Sequence, residues 1–161
     1  MKICLVALVT VLTLFVPAAL ATPADDEAQT AANAMVNRFV DSWNQADGAK
    51  YAENYWPEAE LVDPVGRIVS GRTAIVQEHV DMWAGAFKGS HISGKVRRVQ
   101  MLGSKFMVVD FDAEVSGVRD LPPGSPAGAN ALLRSHLKHV MEKRSGVWKV
   151  LSAQNTFIAA N

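Results

Sequence analysis

The stretch Val62-Asp63-Pro64-Val65-Gly66 sets a carboxylate at the end of an extended segment, just before a proline-stiffened turn. An aspartate there can project into an enclosed space, where partial loss of water makes it a better base. The placement equally suits an ordinary turn aspartate bonded to its own backbone. His79 is four residues after Ile75 and four before Trp83, so it shares the inward stripe of a helix. It reads either as a core histidine with one satisfied hydrogen bond or as the partner of Asp63 in proton transfer. Asp63 and His79 are the candidate catalytic pair.

Gln154 shares strand parity with Trp148, Val150 and Ser152, the expected inner face, while Asn155 falls on the opposite one. The Gln154 amide suits a ligand carbonyl or a stitch between strands. Trp43, Tyr55, Trp56 and Trp83 complete the expected ligand-binding set, and each serves equally well as core.

Other chemistries lack their residues. The four histidines do not form a metal set: His136 and His139 are three apart on a strand and point to opposite faces. There is no phosphate-cradling glycine loop, nucleotide fingerprint or Ser-His-Asp pattern, so neither metal nor cofactor is expected. With 16 basic and 16 acidic residues and no long basic run, nucleic acid is not an expected partner.

These side chains must be positioned by helices first and strands afterwards. Met35, Val36, Phe39, Val40 and Trp43 recur at helical spacing between about 32 and 45. Asp47 can cap a second, short helix carrying Tyr51 and Tyr55 and ending at Pro57. Glu60 to Asp63 reads as a strand, and Arg67 to Val69 returns from the turn. Ser70-Gly71 opens a third helix with Ile75, Val76, Val80, Trp83 and Phe87 along its stripe. After Gly89, residues 91–102, 105–116, 131–144 and 147–158 read as strands, with Gly103-Ser104 and Ser145-Gly146 as hairpin turns. Met107, Val109, Phe111, Ala113 and Val115 alternate with Asp110, Asp112 and Glu114. The Pro- and Gly-rich segment 117–130 is long enough to act as a lid or as a mobile connector.

That order gives an α+β fold, a curved antiparallel sheet around three N-terminal helices with a cavity between the layers. Before it comes Met1-Lys2, an apolar run from Ile3 to Val16, and Ala19-Leu20-Ala21, the pattern of a secretory leader. Residues 1–21 are read as a signal peptide, 22–30 as a flexible start and 31–161 as one domain, secreted or periplasmic. No stable membrane anchor is expected after cleavage, and Cys4, the only cysteine, leaves with the leader. Cysteine nucleophiles and thiolate metal sites are thereby excluded from the mature chain.

The element order, with Phe39-Val40-Asp41-Ser42-Trp43-Asn44, Ser70-Gly71-Arg72-Thr73-Ala74-Ile75, Trp148-Lys149-Val150 and Gln154-Asn155-Thr156, resembles the nuclear-transport-factor-2-like (NTF2-like) superfamily. Ketosteroid isomerase and the SnoaL-like polyketide cyclases belong to it, and the last group is similar to the SgcJ/EcaC-type subgroup. The resemblance implies a cone-shaped, cystatin-like fold, a small apolar organic ligand and a homodimer through the outer sheet face. It also implies that Asp63 is a general base for isomerisation, cyclisation or dehydration at an activated carbon. The alternative is a non-catalytic ligand-binding or scaffold protein with the same cavity. The isomerase's oxyanion hole of a tyrosine and a protonated aspartate does not carry over. Phe39 stands in the tyrosine's place, and Ser135 to His139 contain no carboxylate.

Overall fold

The computed structural model describes residues 23–121, 125–126 and 132–159. The leader 1–21 and most of the lid segment beyond Leu121 lie outside the described residues. Helix α1 (Pro23–Gln45) begins two turns before the expected start, so residues 23–30, expected to be flexible, are helical. Met35, Val36, Phe39 and Trp43 are buried along one side of it, as their spacing requires. Helix α2 (Gly48–Ala52) is capped by Asp47, whose carboxylate accepts from the Lys50 amide at 3.0 Å.

Strand β1 (Tyr55–Val62) starts earlier than expected: Tyr55 and Trp56 belong to it rather than to α2. Strand β2 (Ile68–Ser70) pairs antiparallel with it. Helix α3 (Arg72–Ala84) follows Gly71, whose φ of 88° lies in the left-handed region open to glycine. Its stripe buries Ile75, His79 and Trp83, whereas Val80, counted on the inner face from sequence, is exposed.

Strands β3 (His91–Leu102), β4 (Phe106–Ser116), β5 (Leu133–Arg144) and β6 (Val147–Phe157) match the four expected segments closely. They form an antiparallel meander, and the six-stranded sheet has the order β2-β1-β6-β5-β4-β3. Its β1–β6 joint is parallel, so the sheet is antiparallel except there. On β4, Met107, Val109, Phe111, Ala113 and Val115 are all buried. Asp110, Asp112 and Glu114 face outward and pair with Lys138, His136 and Arg134 of β5.

The curved sheet is open, with helices against its inner face. Asn44 ties α1 to β3 by bonding both backbone groups of Ile92, at 2.8 and 3.0 Å. Where α1 crosses β3, residue 94 is glycine, and a Cβ there would stand 3.1 Å from Val40 and 3.2 Å from Val36.

Candidate functional site

Between helices and sheet lies a cavity of about 420 Å³, of a size suited to a small organic ligand. Its wall is largely apolar and aromatic, including Phe39, Trp43, Leu61, Met82, Phe87, Leu133, Leu137 and Phe157. Apart from Asp120, the polar groups in this wall fall into three sets.

The first set surrounds Asp63. On β1, Ala59 and Leu61 face inward, and Asp63 takes the next inward position just past the strand end. It is 7% exposed and lines the cavity, as the base reading required. Its oxygens are nevertheless occupied. Oδ1 accepts from the amides of Val65 (3.0 Å) and Arg67 (2.8 Å), and Oδ2 accepts from Arg67 Nε at 2.6 Å. Two backbone bonds close the same turn, Asp63 N to Arg67 O and Gly66 N to Asp63 O. Asp63 thus combines the two placements open from sequence, in the cavity wall and bonded to its own turn.

Arg67 also reaches Glu78 Oε1 at 2.5 Å, so one guanidinium bridges two carboxylates. Glu78 Oε2 is buried with no hydrogen-bond partner among the described residues. Burial pushes the Glu78 carboxyl above the usual range; Arg67 opposes that rise and the Asp63 charge adds to it. Glu78 lines the cavity and was absent from the expected site. Its position three residues after Ile75 and next to His79 already placed it on the same helix face.

The second set is a hydrogen-bonded relay. His79 does not bond to Asp63, so of its two readings the pairing is not formed. Its Nδ1 lies 2.8 Å from the Ile75 carbonyl, which can only accept, so Nδ1 carries the proton. Nε2 is therefore the acceptor, and Tyr51 Oη donates to it at 2.8 Å. Tyr55 Oη in turn donates to Tyr51 Oη at 2.9 Å. The protons thus run Tyr55 to Tyr51 to His79 to the Ile75 carbonyl. Burial drives His79 down to about 4, with the Ile75 bond opposing, and leaves the imidazole neutral at pH 7. The same burial raises Tyr51 and pushes Tyr55 up to about 12. Tyr51 was missed as a site residue, although its spacing of four from Tyr55 placed the two side chains together.

The third set is on the sheet: Ser135 and His139 of β5 and Asn155 of β6. His139 is 1% exposed, packs edge-on against Phe111 at 4.9 Å and is pushed by burial down to about 3. Among the described residues its Nδ1 has no hydrogen-bond partner, and neither does the buried Asn155 Oδ1. The alternation of His139 with Leu137 and Met141 was the sequence signal for an inward histidine.

Asn155 stands where Gln154 was expected. Val140 pairs with Ser152 but Met141 pairs with Val150, so Leu151 is an extra residue in a β-bulge. The insertion reverses the parity of all later side chains: Val150, Ala153, Asn155 and Phe157 share the inner side. Gln154 is exposed and lines an outer-face hollow with Arg97, His136 and Lys138.

The expected aromatic set also divides. Trp43 and Tyr55 line the cavity, but Trp83 is buried against Trp43 (5.9 Å) and His79 (5.9 Å) outside its wall. Trp56 follows the inward Tyr55 on the strand and therefore points out, where it stacks under Arg144 at 4.6 Å. Among the described residues, no group of three or more His, Cys, Asp or Glu side chains is placed to hold a metal.

No family model and no curated protein matches the chain. Solved structures do. A domain of unknown function with a cystatin-like fold from Nostoc punctiforme aligns at TM-score 0.71 and 20% identity, over 87% of this chain and 81% of that one. An NTF-2-like protein of unknown function from Shewanella oneidensis aligns at 0.64 and 13%, over 80% and 98%. Hexachlorocyclohexane dehydrochlorinase LinA-type3 from Novosphingobium barchaimii aligns at 0.69 and 15%, over 83% and 88%. The chain has the cystatin-like fold, a curved, open sheet packed against helices.

Proposed function

We propose that the cavity binds a small, largely apolar organic molecule and moves a proton at one of its activated carbons without a cofactor. The observation that carries this reading is the Glu78 carboxylate. One of its oxygens is fixed by Arg67, and the other is buried and unpaired in the wall of an apolar cavity. Desolvation strengthens such a group as a base, and it then holds the proton for return to another carbon. Asp63, the base suggested by the resemblance, acts here as the anchor that holds Arg67 against Glu78. His79 positions rather than reacts, because both ring nitrogens are engaged.

With Phe39 in the wall, no tyrosine hydroxyl is donated from α1 to a developing enolate. The reading therefore suits substrates whose carbon is already acidic, as in isomerisation, cyclisation or elimination. That a dehydrochlorinase shares the fold supports elimination chemistry within this architecture. Export directed by residues 1–21 and pairing of two copies across the outer sheet face belong to the same reading.

The test uses 2-tetralone in D2O, with α-proton exchange followed by NMR. Wild-type protein should accelerate exchange over buffer, and Glu78→Gln should abolish the acceleration while 2-tetralone still binds. Wild-type exchange no faster than in buffer, with 2-tetralone bound, would leave a non-catalytic binding protein.

A further inference from the structure

We propose that His139 and Asn155 form a subsite recognising a hydroxyl group on the ligand. The proposal rests on the cavity reading above and names the chemistry of the molecule it takes.

Two polar atoms in one wall lack partners among the described residues: His139 Nδ1 and Asn155 Oδ1 are both buried and unbonded. A buried polar atom left unpaired is costly, so two of them on cavity-lining residues mark a place for a ligand's polar group. The register brings the two residues together. Asn155 lies opposite Leu137 and His139 opposite Ala153, so His139 and Asn155 are diagonal neighbours on the inner face. Such diagonal pairs stand roughly 7–8 Å apart at the backbone, close enough for one ligand group to meet both side chains.

The identity of that group follows from what each atom lacks. Asn155 Oδ1 is an acceptor and requires a donor. A ketone or ether oxygen cannot supply one and would leave it unpaired. A carboxylate or phosphate would face the Asn155 oxygen and share the cavity with Glu78 and Asp63. An ammonium would need a countercharge, and Glu78 and Asp63 are already shared with Arg67, which leaves it Asp120 alone among the cavity's carboxylates. A hydroxyl donates to Asn155 Oδ1 and remains free to accept from, or give way to, the neutral His139 ring. The relay adds the same bias, because Tyr55 spends its only hydroxyl proton on Tyr51 and offers the cavity only lone pairs.

The test is calorimetric titration with 2-naphthol and 2-methoxynaphthalene, which differ at the one group that can donate. Wild-type protein should bind 2-naphthol at least about tenfold more tightly. His139→Leu and Asn155→Leu should each bring the ratio to within about threefold while leaving 2-methoxynaphthalene binding nearly unchanged. Equal affinities in the wild-type protein overturn the subsite, as does a preference that survives both substitutions. If neither compound binds, the cavity reading falls with it. Tetralone exchange without a hydroxyl preference removes the subsite alone.

Discussion

Tyr51 Oη lies 2.8 Å from His79 Nε2, and with the Ile75 carbonyl on Nδ1 this contact sets the direction of every proton in the buried relay. Tyr51→Phe removes the central link and strands two groups at once, the acceptor nitrogen of His79 and the hydroxyl proton of Tyr55. Each stranded buried group costs about 1–3 kcal/mol, so the variant should lose about 2–6 kcal/mol of stability in urea unfolding. A loss below about 0.5 kcal/mol would mean that water replaces the tyrosine and that the relay is not closed.

Acid should weaken the fold through the two buried imidazoles. Burial lowers His79 to about 4 and His139 to about 3, against an ordinary value of 6.5. Between those values and 6.5 the unfolded chain takes up protons that the folded chain refuses. The stability from keeping these rings neutral is therefore complete above about pH 6.5 and is lost as pH falls toward 4 and below. Each ring contributes a slope of up to about 1.4 kcal/mol per pH unit. Glu78, raised in the fold, works in the opposite sense as acid is added. His139→Leu should remove about half of the histidine slope between pH 6 and 5, measured by urea titrations at fixed pH. An unchanged slope would place the acid sensitivity elsewhere.

The same substitution should also raise stability at pH 7. His139 Nδ1 has no partner to strand, and leucine fills similar volume without a polar atom to desolvate. A gain of about 1 kcal/mol in ligand-free protein is expected. Loss of stability would imply that the ring packing against Phe111 outweighs the unpaired nitrogen.

The four long strands were legible because Gly, Ser or Pro separates the extended segments, and on β4 inner and outer residues alternate without interruption from Met107 to Val115. The cavity position of Asp63 was legible for the same reason, being one more inward step beyond Leu61. What alternation could not reveal was the extra residue at Leu151, since a bulge leaves no mark on local composition yet exchanges Gln154 for Asn155 at the wall. The Asp63–His79 pairing failed on a different count. Each residue was correctly placed on the inner side, but its partners come from the turn amides, Arg67 and Tyr51. Which of several inward polar groups meet depends on distances between elements, and periodicity does not carry that information. Glu78 was passed over because the helix stripe was counted on apolar residues alone.

The division of labour at the turn is separable by two isosteric substitutions. Asp63→Asn keeps an oxygen for the Val65 and Arg67 amides but loses the charge that holds the guanidinium. Because Arg67 is 66% exposed, that loss should cost only about 1 kcal/mol and slow 2-tetralone exchange in part. Glu78→Gln should stop exchange altogether. If Asp63→Asn instead stops it while Glu78→Gln leaves it running, the carboxylate on β1 is the base and Glu78 only holds Arg67.

At Gly94 α1 packs directly on the sheet, and the missing side chain sets how deep the helix can sit. In Gly94→Ala the new methyl would stand 3.1 Å from Val40 and 3.2 Å from Val36. Both neighbours are β-branched residues on a helix, with one strongly preferred rotamer each, so neither yields without moving the backbone. The helix must then lift from β3, straining the Asn44–Ile92 bonds at its end. The cost should be about 1–3 kcal/mol, read as a fall in urea midpoint at unchanged slope. Phe39 and Trp43 lie on the same helix and line the cavity, so the lifted helix should also weaken 2-methoxynaphthalene binding. A variant that loses stability but keeps that affinity would show that the cavity is shaped by the sheet and α3 without α1.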